Sequence, residues 1–227
     1  MHRREFTAGL LLISGCVLVR TAGAASGLGE ADAASGVRAA LERGAQIAVD
    51  LLGRADGFLG NPRVKIPLPG FLNEAARLLK ATGQGKKVDE LVTAMNRAAE
   101  AAVLEARPLL LNAVKALSVE DALKMVRGSD TAVTEFFVGK TRGPLADRFL
   151  PVVTRATETV QLAERYNAVA SKAAGLGLVK ADDANVQRYV TARALDGLYL
   201  IIGEEEKKIR ADPVRTGSAL LKKVFGG

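Results

Sequence analysis

No stretch of this chain alternates apolar and polar residues at period two for long, whereas apolar residues recur at helical spacing along most of it. That pattern argues against a half-buried sheet and for helices packed on one another. Apolar residues make up 48% of the chain and aromatic ones only 4%, so much of the core must come from Ala and Leu, which favour helix over strand. The expectation is an all-α, single-domain, multi-helix bundle of about eight or nine helices over residues 25–227, with no sheet.

Val37, Leu41, Ala48, Leu51 and Leu52 place the first helix over residues 33–52. Residues 53–70 are irregular, and the run Ile66-Pro67-Leu68-Pro69 forces an extended path. The segment is apolar enough to pack onto the body. Further helices are expected over 71–82, 86–107, 108–117 and 118–128, the last opened by Ser118 with Asp121 three residues on. Ser129-Asp130 is expected to cap a helix carrying Phe136 and Phe137. A separate segment starts at Pro144 and is kinked at Pro151. Residues 160–174 follow. Asp182-Asp183 is expected to cap the longest helix, which runs to about Arg210 and spans ~42 Å. A short helix ending Leu220–Phe225 closes the chain.

The N-terminus has the three parts of a secretory signal over residues 1–24: basic Arg3 and Arg4, an apolar run from Leu10 to Val19, and the small-residue stretch around Ala22 and Ala24. The apolar run is too short to span a bilayer as a helix, which takes ~20 residues. Arg3-Arg4 with Phe6 two residues on is a twin-arginine-like pattern, with His2 and Thr7 departing from it. Ile13-Ser14-Gly15-Cys16 resembles a lipoprotein cleavage box, in which Cys16 would be lipidated and anchor the chain to the membrane. Apolar residues continue past Cys16, so cleavage after Ala24 or Ala25 and release into the periplasm is favoured.

Losing this leader removes the only His, His2, and the only Cys, Cys16; the chain has no Trp. His-based triads, thiol catalysis, disulfides and the usual zinc, copper or haem sites are then excluded, and no cofactor is implied. Carboxylate, Ser/Lys or Tyr chemistry is what remains for an enzyme. The formal charge of +7 is scattered in short pairs such as Lys86-Lys87, with no basic run interleaved with aromatics. Nucleic acid is therefore not an expected partner, while weak peripheral attraction to an anionic membrane surface is compatible with the charge. The pattern leaves oligomeric state open.

Several segments resemble a bacterial exported family known as domain of unknown function number 4197. They are Gly57-Phe58-Leu59, Ile66-Pro67-Leu68-Pro69, Met95-Asn96-Arg97-Ala98-Ala99-Glu100, Phe149-Leu150-Pro151, Ala194-Leu195-Asp196-Gly197-Leu198-Tyr199, Glu204 to Arg210 and Leu221 to Gly226. The resemblance implies a helical protein of the cell envelope and supplies no activity.

Asn96, Arg97, Glu100 and Asp196 are the candidate ligand-binding residues. Asn96 and Glu100 are four apart, neighbours at the edge of an apolar helix face, while Arg97 points away from that face. They suit either a polar ligand or a structural network tying neighbouring elements. Asp196 sits among Leu195, Leu198 and Tyr199, where a carboxylate either acts as an acid or base or pairs with an Arg such as Arg193. Glu204 is expected to pair with Lys208 on a solvated helix end. Asp56 and Asn61 fit no calcium-loop spacing, and Gly83-Gln84-Gly85 reads as an interhelical turn. Ser171 with Lys172 and Ser218 with Lys222 carry no nucleophile signature. The leading expectation is a non-enzymatic envelope protein that binds a small or apolar ligand or a protein partner in a groove near residues 66–69. The alternatives are a hydrolase-like enzyme using Glu100 and Asp196, and a structural or assembly factor of the envelope.

Overall fold

The helical spacing of Ala34, Val37, Leu41, Ala45, Ala48 and Leu52, each at most 2% exposed, gives α1 (Glu30–Leu52) one continuous apolar face. The computed structural model describes residues 30–158, 160–177, 183 and 185–212. After α1, an irregular stretch runs to a 3-10 turn at Gly70–Leu72. Then come α2 (Asn73–Ala81), α3 (Gly85–Val103), α4 (Ala106–Lys115), α5 (Val119–Arg127), α6 (Ala132–Thr157), α7 (Gln161–Gly175) and α8 (Val186–Ala211). Among the described residues there is no strand.

Three helices form the centre: α3, α6 and α8 each pack on the other two. α1 lies across α8, α4 and α5, while α2 and α7 sit outside, on α3. One large cluster of buried residues joins α1, α3, α4, α5, α6, α7 and α8, and includes Phe58, Phe137, Phe149, Met95 and Leu198. No helix among the described residues is long and apolar enough to cross a membrane.

Several boundaries differ from the sequence expectation for identifiable reasons. α6 runs unbroken through Pro144 and Pro151, where a break and a kink were expected. The two prolines are seven apart and both lie on the exposed side, so the helix buries its other face without interruption through Phe137, Thr141, Leu145, Phe149 and Val153. The start of α6 is not capped by Ser129-Asp130; Thr131 holds the N-cap position without a side-chain bond. α8 begins at Val186 and not at Asp183, because Asn185 immediately precedes the first buried residue and its Oδ1 accepts the Arg188 N–H at 2.7 Å. α3 ends at Val103 and not Arg107, and Pro108 falls inside the first turn of α4, where its missing N–H costs nothing. Ser118 does cap α5, accepting the Asp121 N–H at 3.0 Å. Asp182, the leader with Arg3, Arg4, Phe6, Cys16, Ala22 and Ala24, the Ser218/Lys222 pair and the closing helix at 220–225 lie outside the described residues.

Candidate functional site

The proline after Ile66 keeps Ile66 extended, so its N–H and C=O point to the same side. Asn96 of α3 meets both: Oδ1 accepts the Ile66 N–H at 2.8 Å, and Nδ2 donates to the Ile66 carbonyl at 2.9 Å. The second Nδ2 hydrogen reaches the Val92 carbonyl at 2.8 Å. Asn96 is fully buried, so this paired amide stands in for a strand partner where no strand exists.

One turn further along α3, Glu100 takes the other end of the loop. Its Oε1 accepts the N–H groups of Phe58 and Leu59, both at 3.1 Å. Its Oε2 accepts from Arg97 at 2.7 Å, and Arg97 also donates to Asp56 at 2.8 Å. These bonds, that to Glu100 first, hold the Arg97 guanidinium above its already high ordinary value. Asp56 has φ +62°, a conformation Asp tolerates better than most residues. The Phe58 ring beyond it is buried against α8, where a Cβ on Gly197 would fall 2.8 Å from Phe58 Cε1. Glycine at 197 is what lets the ring approach.

The three α3 candidates therefore form one device that clamps residues 56–66 to the helix. Their hydrogen-bonding groups are spent on the loop and on one another. That is the structural alternative of the sequence analysis, with Arg97 outward at 42% side-chain exposure as expected.

Asp196 does not join them. It lies on the seam of α6 and α8, bonded to Arg142 at 2.8 Å and paired with Arg193 at 3.3 Å. Both arginines also lie over aromatic rings, Arg142 over Tyr199 at 6.0 Å and Arg193 over Tyr189 at 5.7 Å. The side chain keeps 42% of its exposure because it turns outward while Leu195 and Leu198 turn in. Glu100 and Asp196 share no partner.

The acidic run near the end of α8 is not a solvated tip, and Glu204 does not pair with Lys208. Glu204 meets Arg63, Glu205 takes Lys208 at 2.6 Å, and Glu206 is buried with Arg210 at 3.0 Å. Glu206 also accepts the N–H groups of Val133 and Thr134 at 3.1 and 2.9 Å, and the Thr134 hydroxyl at 2.8 Å. It supplies the N-terminal cap that α6 lacks locally, and Arg210 in turn donates to the Met125 carbonyl near the end of α5. No local signal reveals such a cap, because donor and acceptor are over 70 residues apart.

With the polar candidates committed to structure, an apolar groove of about 140 Å³ remains between α2, α3 and α7, more apolar in its lining than the larger, about 300 Å³ hollow beside Asp121 and Lys140. Ala76 and Leu79 of α2 form one wall, Leu162, Arg165, Tyr166 and Val169 of α7 the other; Val88 and Leu91 of α3, with Leu68 and Leu72, complete it. Val169 of that second wall is 50% exposed, so the apolar lining reaches the surface. Among the described residues no group of three or more His, Cys, Asp or Glu could hold a metal ion.

The molecule is thus an all-α protein in which the longest irregular segment of the described residues is pinned to a central helix beside an apolar groove. It belongs to the family described as protein of unknown function (DUF4197), whose model matches residues 27–226. No curated protein and no solved structure matches the chain.

Proposed function

We propose that this is a non-enzymatic binding protein of the bacterial cell envelope, and that the groove between α2, α3 and α7 takes a small apolar ligand. The groove itself carries the reading: its lining is almost wholly hydrocarbon, and its volume is close to the ~150 Å³ of an apolar cavity that admits benzene. The twin-arginine-like leader and the Ala22 and Ala24 cleavage region support an exported, periplasmic address, with Cys16 treated as part of the signal core. The pairing of Glu100 with Arg97 and the loop, and of Asp196 with two arginines, weighs against a carboxylate enzyme.

Native mass spectrometry of protein purified from its own envelope tests this. A releasable small adduct, absent from an Ala76→Trp variant whose indole fills the groove, is the expected result. Bare protein in both samples, together with no binding of octanol by the wild type, refutes the reading. The denatured mass also reports whether the chain starts after Ala24 or Ala25, or at a lipidated Cys16.

A further inference from the structure

Among the described residues, Arg165 is the one charged residue lining the groove, and it has no ion-pair partner there. We propose that the occupant is an amphiphile with a single anionic end, an alkyl carboxylate, whose hydrocarbon lies in the groove while Arg165 pairs with its carboxylate. This rests on the groove reading above and adds the chemical class of the ligand.

The argument is one of charge complementarity at an otherwise apolar site. An arginine lays its aliphatic stem along hydrocarbon and keeps its guanidinium in water, so Arg165 lines the groove with carbon and leaves its charge at the mouth. Several other cations are paired: Arg63 with Glu204, Arg97 with Glu100 and Asp56, and, on the seam of α6 and α8, Arg142 and Arg193 with Asp196. On α2, the Lys80 ammonium lies 3.6 Å from Asp89. Arg165 is not, and Glu164 beside it in the chain makes no bond to it. The polar group of Tyr166 does not compete, since its hydroxyl donates to the Asp183 carbonyl at 3.4 Å. One free guanidinium fits one carboxylate, whose two oxygens match its planar fork. Without residues 1–24, which carry Arg3, Arg4, Arg20 and Glu5, the formal charge of +7 becomes +5, so the chain stays basic and draws anions toward its surface as a whole.

The test is calorimetric titration of octanoate and octanol into wild type, Arg165→Gln and Ala76→Trp at low salt. Arg165 is exposed, so its substitution leaves folding intact, which circular dichroism verifies. Wild type is expected to bind octanoate about fivefold more tightly than octanol, the size of a partly exposed charged hydrogen bond. Arg165→Gln is expected to abolish that preference and keep octanol affinity, and Ala76→Trp to lose both ligands. Equal binding of the two by wild type, or a preference that survives Arg165→Gln, overturns the ligand class while the groove reading stands. A preference for octanoate that persists in Ala76→Trp, or octanoate uptake only when anionic vesicles are absent as competitors, assigns the effect to general surface charge and overturns the proposal. Failure of wild type to bind either ligand refutes the groove reading itself.

Discussion

Replacing Asn96 by Ala isolates the inner half of the clamp. The substitution deletes the acceptor for the Ile66 N–H and the donor to the Ile66 carbonyl, both buried. Each backbone group left buried without a partner costs about 1–3 kcal/mol, and two of them give about 2–6. The Val92 carbonyl matters less, because it lies in the middle of α3 and keeps its place in the helix ladder. A loss of about 3–5 kcal/mol is expected, a large share of a typical stability of about 5–15 kcal/mol. The control is Asn61→Ala in the same loop, whose Oδ1 accepts the Arg63 N–H at 3.2 Å on the exposed surface. It is expected to cost below about 0.5 kcal/mol. Urea unfolding followed by circular dichroism gives the global value, with an unchanged m value expected. Amide exchange at Ile66 covers the other route, in which the loop lifts off without global unfolding. If Asn96→Ala loses less than about 1 kcal/mol and the Ile66 amide stays protected, the clamp does not do what its geometry says.

Gly197→Ala places a methyl 2.8 Å from Phe58 Cε1 and 3.3 Å from Val64 Cβ. A loss of about 1–3 kcal/mol is expected, smaller in the double variant with Phe58→Leu; additive costs in a double-mutant cycle would show that the two do not touch. Glu206→Ala uncaps α6 and removes one partner of Arg210, for an expected loss of about 2–4 kcal/mol by urea unfolding, less than the full cost of a broken buried pair because Arg210 keeps the Met125 carbonyl. A cost near zero would mean that Thr131 suffices as a cap. Burial raises the phenols of Tyr166, Tyr189 and Tyr199 above their ordinary value of 10.0. Above that pH the unfolded chain releases tyrosine protons before the native one, so it binds fewer protons and stability falls as pH rises. Thermal melts from pH 9 to 12 are expected to show a falling Tm above about pH 10, with tyrosinate absorbance appearing together with unfolding. Tyrosinate forming in a fully folded sample at pH 10 contradicts that burial.

What the sequence discloses follows from how local each interaction is. The buried face of α1 and the Ser118–Asp121 cap of α5 are written within a few residues, and both appear where the pattern puts them. The continuity of α6 is not legible, because a proline's effect on a helix depends on which side meets solvent, and that is decided by α3 and α8 packing on the other side. Asn96 and Glu100 stand out as polar residues beside an apolar stripe, so sequence finds them; their role is set by Phe58, Leu59 and Ile66, thirty and more residues away. Glu206 looks like one acid in a charged run and is instead among the most buried charges of the described residues, since its partners come from α6. The groove is invisible for the same reason: Leu79, Leu91 and Val169 each read as one more apolar residue on its own helix.

The clamp and the groove share the segment Ile66 to Leu68, so a change in one is expected to reach the other. Asn96 fixes Ile66, and two residues later Leu68 lines the groove. Tyr189 donates to the Pro67 carbonyl at 3.0 Å between them, and its ring lies 6.4 Å from that of Tyr166 on the far wall. The extended Ile66-Pro67-Leu68-Pro69 run is stiff, because each proline fixes its own φ and restricts the residue before it. A displacement at Ile66 therefore carries to Leu68 with little absorbed between. Tyr189→Phe removes only the Pro67 bond and leaves both walls in place. It is expected to cost about 0.5–1.5 kcal/mol in stability, and to weaken octanol binding by a similar factor in free energy if Leu68 must be held to shape the groove. A Tyr189→Phe protein that loses stability but binds octanol as wild type does would separate the two, leaving the clamp as scaffolding and the groove to be shaped by α2, α3 and α7 alone.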